Sequence, residues 1–288
     1  MKRKQGFTIV ELLVAMALLG VVLTLAYGGI VTGARQQRSQ EVLSNSQAKL
    51  RRVIEVMSQD IRSSIFGSIS DTPYSSSNTT LSFTLLAGGA GYQVLPQNTS
   101  NTVVAGNLMV ISPDVTVAPD LANGQALLVN ASGLAVIFPV AGLTKSASNE
   151  WQLNFPSCGS VAYTPNTLIF RVATFGYRWD ASSKILYYTS AGGSEQPLAY
   201  DISGFSVTYV YLNPATGALT ERTTPERKNT LPQKVVQLSG ADWTLTQIKL
   251  KLATAPIIDK KTVERKFETT IDLGATQTLQ VNGVRPCS

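Results

Sequence analysis

The chain has 288 residues, 44% hydrophobic and 15% charged, with two cysteines and no histidine. Lacking histidine, it cannot run Ser-His-Asp or Cys-His catalysis or build an imidazole metal site from its own residues. Its net charge of +6 is lopsided: residues 1–66 hold nine Lys/Arg against four Asp/Glu, whereas residues 67–288 hold fifteen against fourteen, so the basic balance is no argument for nucleic acid.

At the N-terminus, Lys2, Arg3 and Lys4 precede an apolar run from Phe7 to Val31 in which Glu11 is the only charge. About 20 apolar helical residues, rising about 1.5 Å each, cross the hydrocarbon core of a bilayer, so the run is long enough to span. The three cations would stay on the cytoplasmic side and place the rest of the chain across the membrane. Ala26-Tyr27-Gly28 is a poor small-residue cleavage site, and the helical pattern continues beyond it, which indicates a retained anchor rather than a discarded secretory signal. A carboxylate inside an apolar span costs roughly 2.5–3.5 kcal/mol, so Glu11 either reaches back to water from a helix end or has a partner and a task.

Gly6-Phe7 with an acid five residues after the glycine, in the run Phe7-Thr8-Ile9-Val10-Glu11-Leu12-Leu13-Val14-Ala15, resembles the type IV prepilin signature. The resemblance implies that a membrane aspartyl peptidase cuts between Gly6 and Phe7 and methylates the new amine of Phe7. It implies that Glu11 then pairs with the N-terminal amine of a neighbouring subunit during assembly. The physics agrees, because an ammonium and a carboxylate buried together compensate each other while either alone is penalised. The implied fold is α+β and pilin-like: one long N-terminal helix packed on an antiparallel β-sheet domain. The implied partners are prepilin peptidase, other pilin or pseudopilin subunits, an inner-membrane assembly platform and membrane lipid, with no cofactor.

Four segments follow: a leader at 1–6, the membrane-spanning half of the helix at 7–34, an amphipathic half at 35–66, and an exported β-rich domain at 67–288. Within the last, 67–160 reads as an inserted lobe with only five charged side chains. Where many pilins carry a proline, this chain has Gly28-Gly29, each costing about 1 kcal/mol relative to alanine in a helix. They mark either a point of helix flexibility or a surface for close helix approach. Beyond Gln36, Leu43, Leu50, Ile54, Met57, Ile61 and Ile65 recur at helical spacing, with Arg51, Arg52, Glu55, Gln59 and Arg62 elsewhere. An unbroken helix from Phe7 to Phe66 would be about 90 Å long.

Residues 67–78 are rich in breakers, and Ser75–Thr80 also has the composition of a disordered segment. The period then changes to two. Strands are expected at Thr80–Ala87, Val103–Ser112, Phe205–Leu212, Thr244–Ala253 and Thr262–Leu273. Hairpins are expected at Ala126–Asn130 with Leu134–Val140 and at Thr167–Trp179 with Ile185–Thr189. Asp60-Ile61-Arg62-Ser63-Ser64, Ile202-Ser203-Gly204-Phe205-Ser206-Val207-Thr208-Tyr209 and Ile248-Lys249-Leu250-Lys251-Leu252 are similar to W-type minor pilins and J-type pseudopilins.

Cys158 and Cys287 both fall in the exported part, where an oxidising compartment permits a disulfide. It would close a loop of about 130 residues, worth about 4–5 kcal/mol in the chain-entropy model; the alternative is two free thiols that the fold does not bring together. Ser46-Gln47-Ala48-Lys49 matches the S-x-x-K pattern of acyl enzymes without its companion motifs. Gly88-Gly89-Ala90-Gly91 reads as a turn, as does Asp120-Leu121-Ala122-Asn123-Gly124, which has too few acids for a calcium loop. Lys249, Lys251, Lys260, Lys261, Arg265 and Lys266 are interleaved with Asp259, Glu264 and Glu268, which fits a solvated strand face better than a DNA patch. The functional expectation is a minor pilin without enzymatic activity that assembles into, or primes the tip of, a type IV pilus. The alternatives are a J-type pseudopilin of a type II secretion system and a tip-located binder of DNA or a surface.

Overall fold

The computed structural model describes all residues outside 1–8, 88–90, 96–101, 104–107, 113–115, 122–123, 130–134, 155–160, 163–166, 191–192, 229–230, 233–234, 259–260, 274–283 and 287–288. Helix α1 runs without interruption from Ile9 to Arg62, 54 residues and about 80 Å. Only its later part is covered: Leu50, Val53, Ile54, Met57 and Ile61 share one face of the helix and are all buried. The helix stops four residues before the expected Phe66. The Ser63 amide closes the last turn on the Gln59 and Asp60 carbonyls, and strand β1 (Ser64–Ser70) begins at once. A neighbouring strand, β2 (Thr80–Leu86), pairs with both ends of it, Ser64 with Leu85 and Ile69 and Ser70 with Phe83 and Ser82, with a break in register between Ser64 and Ile69. Ile65 and Phe66, favourable in a strand, fall on that side of the boundary.

After β2 the chain builds a separate lobe from β3 (Tyr92–Leu95), β4 (Thr102–Val103), β5 (Leu108–Ile111), β6 (Gly124–Val129), β7 (Ala135–Val140), β8 (Gly142–Lys145), β9 (Glu150–Asn154) and β10 (Val161–Ala162). It returns through β11 (Leu168–Asp180), which pairs with β3 and β6 in its first half and with β2 in its second. The order β7-β6-β11-β3-β5-β9-β8 ends on the strand it began with, because β7 and β8 are one strand bent at Ala141. The Ala141 amide bonds the Asn154 carbonyl across the bend. The lobe is therefore a closed six-stranded barrel. Val94, Leu108, Val110, Ala126, Leu128, Phe138, Val140, Leu153 and Ile169 fill it. Leu121, at 0% exposure, plugs one end from a loop that the Arg171–Asp120 ion pair and the Tyr92 hydroxyl hold in place. Closure removes the unpaired edges that an open sheet would leave.

The remaining strands are β12 (Ile185–Thr189), β13 (Gln196–Ala199), β14 (Ile202–Leu212), β15 (Leu219–Arg222), β16 (Arg227–Lys228), β17 (Leu231–Pro232), β18 (Val235–Leu238), β19 (Ala241–Thr254), β20 (Ile257–Ile258), β21 (Lys261–Thr262), β22 (Arg265–Asp272) and β23 (Val284–Pro286). A five-stranded antiparallel sheet is built on β14, β19 and β22. Its inner face, with Val207, Tyr209, Ile248, Leu250, Leu252 and Ile271, meets the buried stripe of α1. The lower half of the barrel-bearing sheet (Leu81, Phe83, Tyr177, Leu186) closes the same core from the other side. The molecule is thus α+β and pilin-like, and β11 is the strand shared by both cores.

The serine-rich stretch is an ordered staple rather than a disordered segment. The Asn78 carbonyl accepts from the Val207 amide of one sheet, and the Thr79 carbonyl from the Trp179 amide of the other. Ser76, 2% exposed, donates to the Ser70 carbonyl and accepts from the Ser82 amide. Arg227 clamps the turn from outside, binding the Asp71 carboxylate and the Ser76 carbonyl. The hydroxyls replace the strand ladder that this segment lacks, which meets the need of every buried backbone group for a partner.

Candidate functional site

The N-terminal half of α1 is an apolar rod that the rest of the chain leaves uncovered. Fourteen large apolar side chains between Ile9 and Ile30 are 54–80% exposed. Each is worth about 1.5–3 kcal/mol on burial, so leaving them in water would cost more than the about 5–15 kcal/mol by which a domain is stable. This surface has to be met by lipid or by other helices. The helix is long and apolar enough to cross a membrane, and none of that segment is buried. Glu11 lies in the first turn, where a negative charge suits the helix dipole, and it is exposed on the rod. Gly6 and Phe7 lie outside the described residues.

Gly28 and Gly29 do not interrupt the helix. A Cβ at either would meet nothing within 4 Å, and the same holds for Gly20 and Gly33, so no contact within this chain demands the glycines. Thr24 and Thr32 return their hydroxyls to the Gly20 and Gly28 carbonyls (2.7 and 2.8 Å), which leaves the rod without an unsatisfied hydroxyl at those positions.

The other motifs resolve into structural contacts. Ser46 donates to the Val42 carbonyl (2.8 Å), and Lys49 reaches the Tyr200 carbonyl and, at 3.9 Å, the Asp201 carboxylate, so the serine and the lysine point to different partners. Lys249 is paired with Glu221 (2.6 Å) and Lys266 with Glu264 (2.8 Å). Lys260 lies outside the described residues. So do Cys158, Cys287 and most of the Gly88–Gly91 stretch. Among the described residues no group of three or more Cys, Asp or Glu side chains is placed to hold a metal ion.

Two polar clusters have no signal in the sequence, because their members come from distant segments. In the first, Arg178 binds both oxygens of Glu195 (2.7 Å each) and stacks over Tyr187, while the Tyr74 hydroxyl donates to Glu195 (2.6 Å). Arg178 holds the Glu195 carboxyl below its usual range, and burial raises Tyr74. In the second, the Tyr177 hydroxyl donates to Asp60 on the last turn of α1 (2.5 Å). Burial, reinforced by that carboxylate, pushes the Tyr177 phenol far above its ordinary value. The first cluster ties its strands together at the surface, and the second fastens the end of α1 to β11.

Residues 1–27 match the family model of the prokaryotic N-terminal methylation motif. The chain therefore carries a type IV pilin-like signature over the segment that contains Gly6, Phe7, Glu11 and the exposed rod. No curated protein and no solved structure matches the chain.

Proposed function

We propose that this chain is a minor pilin: a membrane-anchored subunit cut between Gly6 and Phe7, methylated on Phe7, and assembled into or at the tip of a type IV pilus. One observation carries the reading. The methylation motif heads a helix whose first half is bare and apolar and whose second half is the spine of a β-domain. Members of that family act as structural subunits, and the role assigned here is assembly without catalysis. Glu11 is the group that would meet a neighbour's N-terminal amine in the apolar layer, and Gly28-Gly29 is the point where the helix can yield or where neighbours can approach. Because β11 rises past the helix end into the barrel, the low-charge lobe lies at the membrane-distal end, which favours a terminal or surface-binding position. A J-type pseudopilin would share the leader and spine, and the genes adjoining this one would separate the two. The DNA-binding reading is weaker, because Lys249 and Lys266 already have acidic partners.

A Cys158–Cys287 disulfide belongs to the same proposal. β23 sets Pro286 beside Ile137, and β9 sets Asn154 beside Gly142, both against the single bent strand β7–β8. Cys287 follows Pro286 directly in the sequence and Cys158 lies four residues past Asn154. Intact mass and N-terminal sequencing of the protein from membranes, without reductant, test the whole reading. The expected product begins at methylated Phe7 and is lighter by two hydrogens; an N-terminus at Met1 or beyond Ala26 would overturn it.

A further inference from the structure

The hairpin of β19 and β22 outlasts the sheet it belongs to. The two strands pair in one register from Gln247 opposite Asp272 to Thr254 opposite Arg265. That register continues past the end of β19: the Val263 amide donates to the Pro256 carbonyl (3.0 Å), Ile257 pairs with Thr262, and Ile258 with Lys261. The adjoining strand β14 stops at Ile202, opposite Thr254. β20 and β21 therefore carry the pair past the end of β14, with Ile258 up to about 13 Å beyond it at about 3.3 Å per residue.

It projects toward the apolar rod. Lys49 bonds the Tyr200 carbonyl beside the start of β14, whereas Asp60, a further eleven residues along the helix, bonds Tyr177. The Ile202–Thr254 end of the sheet is thus the end nearer the N-terminal half of α1. From Arg35, the first charge after the apolar run, to Lys49 the helix rises about 21 Å. The hairpin spans about 13 Å of that rise, and a headgroup layer adds about 5–8 Å beyond the hydrocarbon. Its side chains suit such a surface. Ile257 is 75% exposed, the highest value for a large apolar side chain among the described residues outside the span. Lys261 and Thr262 are exposed beside it, and Tyr200, 54% exposed, lies at the same end. An exposed isoleucine with a lysine on the facing strand fits the boundary between acyl chains and anionic headgroups.

We propose that the strand pair β20–β21, through Ile257 and Lys261, docks on the anionic phospholipid surface beside the point where α1 leaves the bilayer, holding the unassembled domain against the membrane. The inference rests on the membrane-anchored reading, and the test separates the two. Full-length protein in phosphatidylcholine–phosphatidylglycerol nanodiscs carries one fluorophore at Ile257→Cys, Leu219→Cys or Tyr27→Cys, with the labelled wild-type chain measured for background from Cys158 and Cys287. Leu219, 61% exposed, pairs with Leu212 at the opposite end of β14. A nitroxide on the lipid headgroup is expected to quench the label at 257 and not at 219, and a nitroxide on the acyl chain to quench the label at 27. Replacing phosphatidylglycerol with phosphatidylcholine, or Lys261→Glu, should reduce quenching at 257, by about fivefold in surface occupancy per unit charge. Equal quenching at 257 and 219, or quenching at 257 indifferent to both charge changes, overturns the docking. Shielding of the label by other subunits in place of lipid overturns it as well, by making the hairpin a protein contact. An unquenched label at 27 overturns the anchor itself.

Discussion

Asp60 and Tyr177 meet through a 2.5 Å hydrogen bond that joins the last turn of α1 to the strand shared by both cores. Tyr177 is 0% exposed, and its ring lies against Phe83 and Tyr188. Tyr177→Phe keeps the ring but leaves the half-buried carboxylate without this donor, which costs about 1–3 kcal/mol. Urea unfolding should show that loss. A midpoint unchanged from wild type would mean that solvent already satisfies Asp60.

Alkali should destabilise the domain through its tyrosines. Burial raises the phenols of Tyr177, Tyr209 and Tyr211, the last pushed up to about 12. A group whose folded value lies above its unfolded one contributes stability that is present below the unfolded value, about 10, and is lost as pH rises through the folded value. Stability should be flat to about pH 9 and then fall by up to about 1.4 kcal/mol per pH unit for each such group. Tyr211→Phe should make the fall shallower, and a slope equal to wild type would remove Tyr211 from the account.

Gly176 lies under the staple. A Cβ there would come within 2.7 Å of Tyr74 Cδ2, 2.9 Å of Pro73 Cγ and 3.0 Å of Ser82 Oγ. The ring and the turn are both held by hydrogen bonds, so they cannot yield freely. Gly176→Ala should cost about 1–3 kcal/mol and raise amide exchange around residues 74–82. Unchanged exchange there would show that the turn has room to shift.

Glu11→Ala should leave cleavage after Gly6 intact and reduce incorporation into the filament, since the neighbour's amine would lose its counter-charge in an apolar layer. Immunoblots of sheared filaments against whole-cell mature protein check this. Normal incorporation would remove Glu11 from assembly.

The sequence by itself determined what is local. Three cations, an apolar run and a single acid at position 11 lie within a few residues of one another, so periodicity and spacing suffice to read an anchor, while the Gly6-Phe7 junction is read through the resemblance to the prepilin signature. A pair of neighbours was legible for the same reason: β11 turns at Asp180-Ala181-Ser182-Ser183 into β12. The tertiary structure decided everything that depends on distant partners. Whether the chain past Arg62 prolongs the helix or starts a strand is settled by β2, which pairs with Ser64, Ile69 and Ser70, not by the local spacing. Closure of the barrel needs β11 beside β3 and β9 beside β5, pairings whose loop-closure cost leaves no mark on the residues between. The serines of 75–80 have a composition that suits disorder, and only the backbone groups of two facing sheets, brought within reach by folding, turn them into a staple.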